Sequence, residues 1–235
     1  MGQADTKEHK ALTSCHFVPF VVNFLLFARH LPRELQRGVR LRARVQGFNF
    51  KVPKIGVLME EILFQQVESD EQKKQAAALI REYLEWLNER IKRDYGLEFD
   101  VNAMVESDLS DSHKFFPPTG RFYLARYGSA VAGVGCLKKL AEGVGEIQRM
   151  YVRPEFRGKR IGRAIVNRLV DDARMIGYRQ LKLESLEFLK EAHALYKSIG
   201  FRVIDRYAHN SMDAYQAQAQ LDQYYSITVF MEMNL

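Results

Sequence analysis

The sequence predicts an α/β fold, a mixed β-sheet of about seven strands accompanied by amphipathic helices. Three observations carry that expectation. Strand-like and helix-like apolar periods follow one another along residues 60–235 in the order βααβββαβαββ. Between Glu146 and Ala164 a strand, a glycine-bearing loop and a helix succeed one another without a gap, as they do where a strand feeds an anion-binding helix start. A chain of 235 residues with 47% hydrophobic content can bury a full core as one large domain, or as one domain plus an extension.

Residues 1–58 read as a basic, poorly ordered N-terminal extension. They hold ten Lys and Arg against three Asp and Glu, a charge of +7, so of the net +6 the remaining residues carry −1. The domain at 59–235 therefore lacks a polyanion-binding balance, and no specific nucleic acid is expected for it. Phe17 to Ala28 is apolar but only twelve residues long and is broken by Pro19 and Asn23, too short to span a bilayer. A secretory signal is disfavoured by the acids before this stretch and by Arg29-His30 after it. Met1-Gly2 with Thr6 fits the loose N-myristoylation pattern. The basic stretch Arg29–Lys54 is either a poorly ordered arm or one that meets a membrane surface or RNA. Met59 offers an alternative start. Cys15 and Cys136 give no disulfide framework, which points to a reducing, cytoplasmic setting.

From Met59 the elements become legible. Ile62 to Val67 is a strand, and Ser69-x-x-Gln72 is a capping box. Ile80, Tyr83, Leu84, Leu87 and Ile91 recur at helical spacing up to Gly96, so one long amphipathic helix follows. Residues 97–119 are mixed and acidic and close on the turn cluster Phe115–Gly120. Arg121 to Arg126 and Ala130 to Leu137 form a hairpin around Tyr127-Gly128-Ser129, and the Glu146 strand comes next. That strand stops at Pro154. Ile161, Ile165, Leu169, Ala173 and Ile176 share one stripe of a helix ending at Gly177; Leu181–Glu184 is a strand. Phe188, Ala192, Leu195 and Ile199 are the expected buried stripe of the next helix, closed by Gly200 before a strand at Phe201–Ile204. Asn210 to Gln223 reads as a Gln-rich loop, and Tyr225 to Met233 alternates as the last strand.

The loop Arg157-Gly158-Lys159-Arg160-Ile161-Gly162 combines flexible glycines, a helix start and several cations, the components of an anion site suited to a diphosphate. It lacks G-K-[ST] and G-x-G-x-x-G, which argues against nucleoside triphosphates and NAD. Strand, R-G-K-R-I-G-R-A and helix together resemble the acetyl-CoA-binding motif of the GCN5-related N-acetyltransferase (GNAT) superfamily, [Q/R]-x-x-G-x-[G/A], which falls on Arg157–Gly162. Arg160 stands where the first motif glycine belongs, a departure that keeps the backbone amide but strains a positive φ. Ala192 to Phe201, A-H-A-L-Y-K-S-I-G-F, resembles the A-x-x-L-Y-x-x-x-G-F signature of the same superfamily.

The resemblance implies a GNAT fold with helices on both faces of the sheet, and an acetyl-CoA-dependent N-acetyltransferase working by direct transfer in a ternary complex. It implies cofactor binding by Met150, Tyr151, Val152, Arg157, Gly158, Lys159, Arg160, Ile161, Gly162 and Arg163. Glu146, eleven residues before Arg157, is either the general base for the amine acceptor or a solvated strand-end carboxylate. Tyr196 resembles the family's general acid for the departing thiolate; the other reading is a tyrosine capping the core. Leu189 stands where the family often has Asn. His193 is expected to be exposed, and Glu184 and Ser185 to line the cleft. No side chains show metal-ligand spacing. The acceptor is an amine of a small molecule, amino acid, peptide or protein, and the chain a monomer or homodimer. The rival readings are a non-catalytic acetyl-CoA-binding module and a nucleic-acid-binding protein acting through its basic arm.

Overall fold

The computed structural model describes residues 44–45, 48–49, 61–207 and 218–235. The apolar Phe17–Ala28 stretch, the myristoylation pattern and nearly all of the basic arm lie outside the described residues. The chain divides into two units, 1–59 and 60–235. In the first, β1 (Arg44–Val45) pairs antiparallel with β2 (Phe48–Asn49).

The second unit opens with β3 (Ile62–Gln66) and helix α1 (Asp70–Tyr95). The capping box is formed: Ser69 Oγ accepts from the Gln72 amide at 3.2 Å, and Gln72 Oε1 accepts from the Ser69 amide at 2.9 Å. Gly96 ends the helix at φ 69°. A second helix, α2 (Val101–Ser110), is capped by Asp100. Strands β4 (Arg121–Tyr127), β5 (Ala130–Ala141) and β6 (Val144–Val152) form an antiparallel meander, followed by α3 (Ile161–Ile176), β7 (Gln180–Leu186) and α4 (Lys190–Ile199). The unit closes with β8 (Arg202–Ile204), α5 (Gln218–Ser226) and β9 (Thr228–Asn234).

These strands make a seven-stranded sheet in the order β3-β4-β5-β6-β7-β9-β8, antiparallel throughout except between β6 and β7. Side chains alternate faces along each strand, and β4 shows the consequence. Phe122 and Leu124 join a core with Leu84 and Leu87 of α1, whereas Tyr123 and Ala125 join a second core with Ile165 and Leu169 of α3. The sheet is thus covered on both faces.

Four expectations are corrected. Part of the Gln-rich stretch is the helix α5, and β9 begins at Thr228 rather than Tyr225. Leu221, Tyr224 and Ile227 are buried at spacings of three, a helical period that the intervening Gln, Asp and Ser residues disguise. On α4 the buried positions are His193 and Tyr196, while Ala192, Leu195 and Ile199 are only half-buried. His193 is therefore a buried residue, 8% exposed, because the face it shares with Tyr196 is the most buried one of the helix, whereas Phe188, Ala192 and Leu195 stay half-buried along a cleft.

A cleft between two diverging parallel strands

The two parallel strands pair only through Val144–Gln180, Gly145–Leu181 and Glu146–Lys182. Beyond that point they separate. On its other side β6 changes register against β5 between Val134 and Cys136, where Arg149 adopts φ 52°, a bulge of the kind that bends a strand and increases its twist. Backbone groups alternate in direction along a strand. The Arg153 amide donates to the Ala132 carbonyl on β5, so Val152, one residue earlier, turns its own amide and carbonyl toward the gap. The Arg157 Nε reaches that Val152 carbonyl at 3.4 Å from the open side.

The gap is a cleft of about 700 Å³. Of the ten residues expected to bind the cofactor, nine border it, namely Met150, Tyr151, Val152, Arg157, Gly158, Arg160, Ile161, Gly162 and Arg163. Lys159 instead places its ammonium 4.6 Å from the centre of the Tyr127 ring. At the start of α3 the first amide bonded within the helix is that of Ala164, to the Arg160 carbonyl. Among the described residues no acceptor meets the amides of Gly158 to Arg163, and Arg160 itself sits at φ 64° with no side-chain cap. A β-carbon at Gly158 would meet only open space. The loop is a cradle of unspent N–H groups at the positive end of a helix.

The opposite wall comes from α1 and the start of α4. Tyr83 stacks on Tyr151 with centroids 5.5 Å apart, Arg157 lies 5.8 Å from the Trp86 ring centre, and Arg90 lies 4.5 Å from that of Phe188. Burial pushes the Tyr83 hydroxyl up to about 12. Sequence reasoning missed this wall, since Tyr83 reads as one more core position of an amphipathic helix.

Tyr196 borders the cleft and its ring packs edge-on against Phe201 at 5.9 Å. Burial, and secondarily Tyr83, raises its hydroxyl well above the ordinary tyrosine value. Glu146 is fully buried and does not border the cleft. It accepts hydrogen bonds from Tyr207 Oη at 2.8 Å and Gln148 Nε2 at 2.7 Å, and Lys138 Nζ stands 3.1 Å away. Two carboxylates do border the cleft, Glu184 with Ser185 beside it and Glu191, and of these Glu184 alone also borders the smaller cavity described next.

A second, smaller cavity of about 70 Å³ adjoins, walled by Leu84, Leu87, Ile91, Phe99 and Met104. It shares Tyr83, Ile147, Gln148, Arg149, Glu184 and Ser185 with the cleft. Arg149 is held there by Asp108, which is buried and accepts from Nε at 2.5 Å and from Nη2 at 3.3 Å. Among the described residues no cluster of three or more His, Cys, Asp or Glu could hold a metal, and no helix is long and apolar enough to cross a membrane.

The model of the acetyltransferase (GNAT) family matches residues 84–201, which run from α1 through the cleft to the end of α4. The chain belongs to that family. An uncharacterized N-acetyltransferase of Schizosaccharomyces pombe is 31% identical over 134 residues, 56% of this chain and 77% of the relative. Among solved structures, a GNAT-family acetyltransferase of Staphylococcus aureus superposes with a TM-score of 0.56 at 17% identity, covering 74% of this chain and 99% of the other. The PaiA N-acetyltransferase of Thermoplasma acidophilum, solved in complex with coenzyme A, superposes with a TM-score of 0.55 at 18% identity over 74% and 99%. These two likenesses establish the fold. As a member of the GNAT family the chain is an acetyl-CoA-dependent N-acetyltransferase whose acceptor bears an amine.

Proposed function

We propose that the acetyl donor lies along the cleft with its diphosphate on the amides of Gly158 to Arg163, its pantetheine arm against the open edge of β6, and its thioester beside Val152. The acceptor amine then enters from the smaller cavity and meets the thioester where the two spaces join. The observation that carries this reading is the loss of β6–β7 pairing beyond Glu146 and Lys182, next to a loop whose amides have no acceptor among the described residues. An extended pantetheine can substitute for the missing strand.

The transfer balances with groups already in place. The amine nitrogen forms a bond to the thioester carbon, and the oxyanion that develops is stabilised by the backbone amide turned into the gap. The C–S bond then breaks, and the thiolate takes the Tyr196 proton, which solvent restores. The attacking nitrogen loses its proton to Glu184, the carboxylate bordering both spaces, and from there to water. Glu146 contributes from behind, because its carboxylate is closed off from the cleft.

The test places a negative charge in the diphosphate cradle. A β-carbon at Gly162 would meet Leu195 Cδ2 at 3.4 Å and Val152 Cγ2 at 3.8 Å, ordinary contacts at a position that borders the open cleft, so Gly162→Glu is expected to fold. Coenzyme A binding is followed by the fluorescence of Trp86, the one tryptophan of the chain, which borders the cleft. Affinity for coenzyme A is expected to fall by about a hundredfold or more, because a carboxylate at a helix start competes with and repels the phosphates. Unchanged affinity in a folded variant refutes this placement.

A further inference from the structure

Gln148 occupies a place that the transfer just described leaves without a role. It sits on β6 two residues from Glu146, so both side chains leave the same face of the strand. Only 7% of Gln148 is exposed, and it borders both the cleft and the smaller cavity at their junction. Its Nε2 donates to Glu146 Oε2 at 2.7 Å. An ionised carboxylate accepts and never donates, so the amide can face Glu146 in one sense only, nitrogen first. The Oε1 atom is thereby turned the other way, and among the described residues no donor reaches it. Glu146 cannot swing to relax this arrangement, since Tyr207 Oη and Lys138 Nζ hold its two oxygens at 2.8 Å and 3.1 Å.

We infer that Gln148 Oε1 is the hydrogen-bond acceptor for the attacking nitrogen of the acceptor amine, and that Glu146 is the positioning residue that orients it. This rests on the reading of the cleft given above. A carbonyl oxygen at the junction with no protein donor of its own is open to an N–H that arrives there. The nitrogen gains positive charge as its bond to the thioester carbon forms. An amide whose N–H end lies on a carboxylate presents a more negative oxygen to that charge, so the Glu146 charge is felt at the reacting nitrogen without contact. A primary amine keeps an N–H for Gln148 while its lone pair attacks, so the arrangement suits primary amines above tertiary ones.

The test measures acetyl-CoA-dependent thiol release by the full chain with three probe amines: an alkylamine, a free α-amino acid and a lysine-containing peptide. The enzymes are wild type, Gln148→Met, Glu146→Gln and the double variant. For the amine that wild type uses best, Gln148→Met is expected to lower kcat/KM by about tenfold or more, the loss of one hydrogen bond to a charged group. Its coenzyme A affinity by Trp86 fluorescence is expected to stay within about twofold, since uniform loss of the fold would abolish both. Glu146→Gln is expected to lose a similar factor because the Gln148 amide can then flip, and the double variant no more than the larger single loss. In Glu146→Gln the acid limb of the kcat/KM–pH profile is expected to persist. Wild-type kcat/KM in Gln148→Met, losses that multiply in the double variant, or disappearance of the acid limb each overturn the inference. If Glu146→Gln does not fold, Gln148→Met decides alone. A wild type that binds coenzyme A but releases no thiol with any probe overturns the transfer reading and this inference with it, whereas an active wild type with an unaffected Gln148→Met overturns this inference only.

Discussion

Arg160 adopts a backbone conformation that arginine reaches at a cost. At φ 64° and ψ 12° its Cβ crowds the neighbouring carbonyl, a penalty glycine escapes. The conformation is what points the following amides of α3 at the cleft, so the strain is stored at the cradle itself. Arg160→Gly is expected to raise unfolding free energy by about 1 kcal/mol, read as a higher denaturant midpoint at unchanged slope. Tyr196 makes a different residue-scale prediction. A general acid must carry its proton when the thiolate leaves, and burial raises the Tyr196 hydroxyl above its ordinary value. Activity through this group is therefore retained below that raised value and lost only as pH climbs past it, so kcat is expected to show no falling limb from Tyr196 between about pH 7 and 9. Tyr196→Phe is expected to lower kcat by about a hundredfold while leaving coenzyme A affinity by Trp86 fluorescence close to wild type. An unaffected kcat removes Tyr196 from the proton path.

The elements set the cleft, and a tight backbone constraint on them lies at Gly133 of β5. A Cβ there would stand 2.6 Å from the Tyr151 carbonyl, with Ile165 Cδ1 at 3.2 Å and Val152 Cγ2 at 3.3 Å. The nearest atom is backbone of β6, so relief requires moving the very edge that faces the gap. Gly133→Ala is expected to cost about 1–3 kcal/mol in chemical denaturation and to weaken coenzyme A binding in the fraction that folds. Helices α1, α3 and α4 were legible because apolar residues recur at their spacing and a glycine stands after each. The loop from Arg157 to Gly162 was legible because the chemistry of its backbone is local. Helix α5 was not, because only Leu221 and Tyr224 of its visible residues are buried and the glutamines around them read as a turn. The inward face of α4 was misjudged for a related reason: two adjacent stripes, 188/192/195/199 and 189/193/196, are both apolar enough, and packing alone chooses. Tyr83 and Trp86 come to the cleft from α1 and Arg149 from β6, and spacing along the chain carries no trace of that meeting. Gln148 did have a signal, the shared face of residues 146 and 148 on one strand.

On the scale of the whole molecule, tyrosines tie the two cores to the sheet, and they make stability depend on alkalinity. Tyr178 is 6% exposed and donates to the Thr119 carbonyl at 2.6 Å; burial raises its hydroxyl to about 12. Tyr207 donates to Glu146, and burial followed by the Glu146 and Glu184 charges raises its hydroxyl further. Tyr224 of α5, whose ring packs edge-on against Phe99 at 5.6 Å, is raised by burial and then by Glu184. In the unfolded chain each returns to an ordinary value near 10. The unfolded state therefore releases these protons first as pH rises. Their contribution is fully present below about pH 10 and is lost between that value and the folded ones, with a slope of about 1.4 kcal/mol per pH unit for each proton involved. With several such groups titrating over one window, unfolding is expected to set in between about pH 10 and 12 as one cooperative transition. Phenolate absorbance and far-ultraviolet circular dichroism recorded together should then rise and fall at the same pH. Phenolate absorbance that climbs to completion while the helical signal stays native would show that these hydroxyls ionise inside the fold, and would remove tyrosine burial as the cause of alkaline instability.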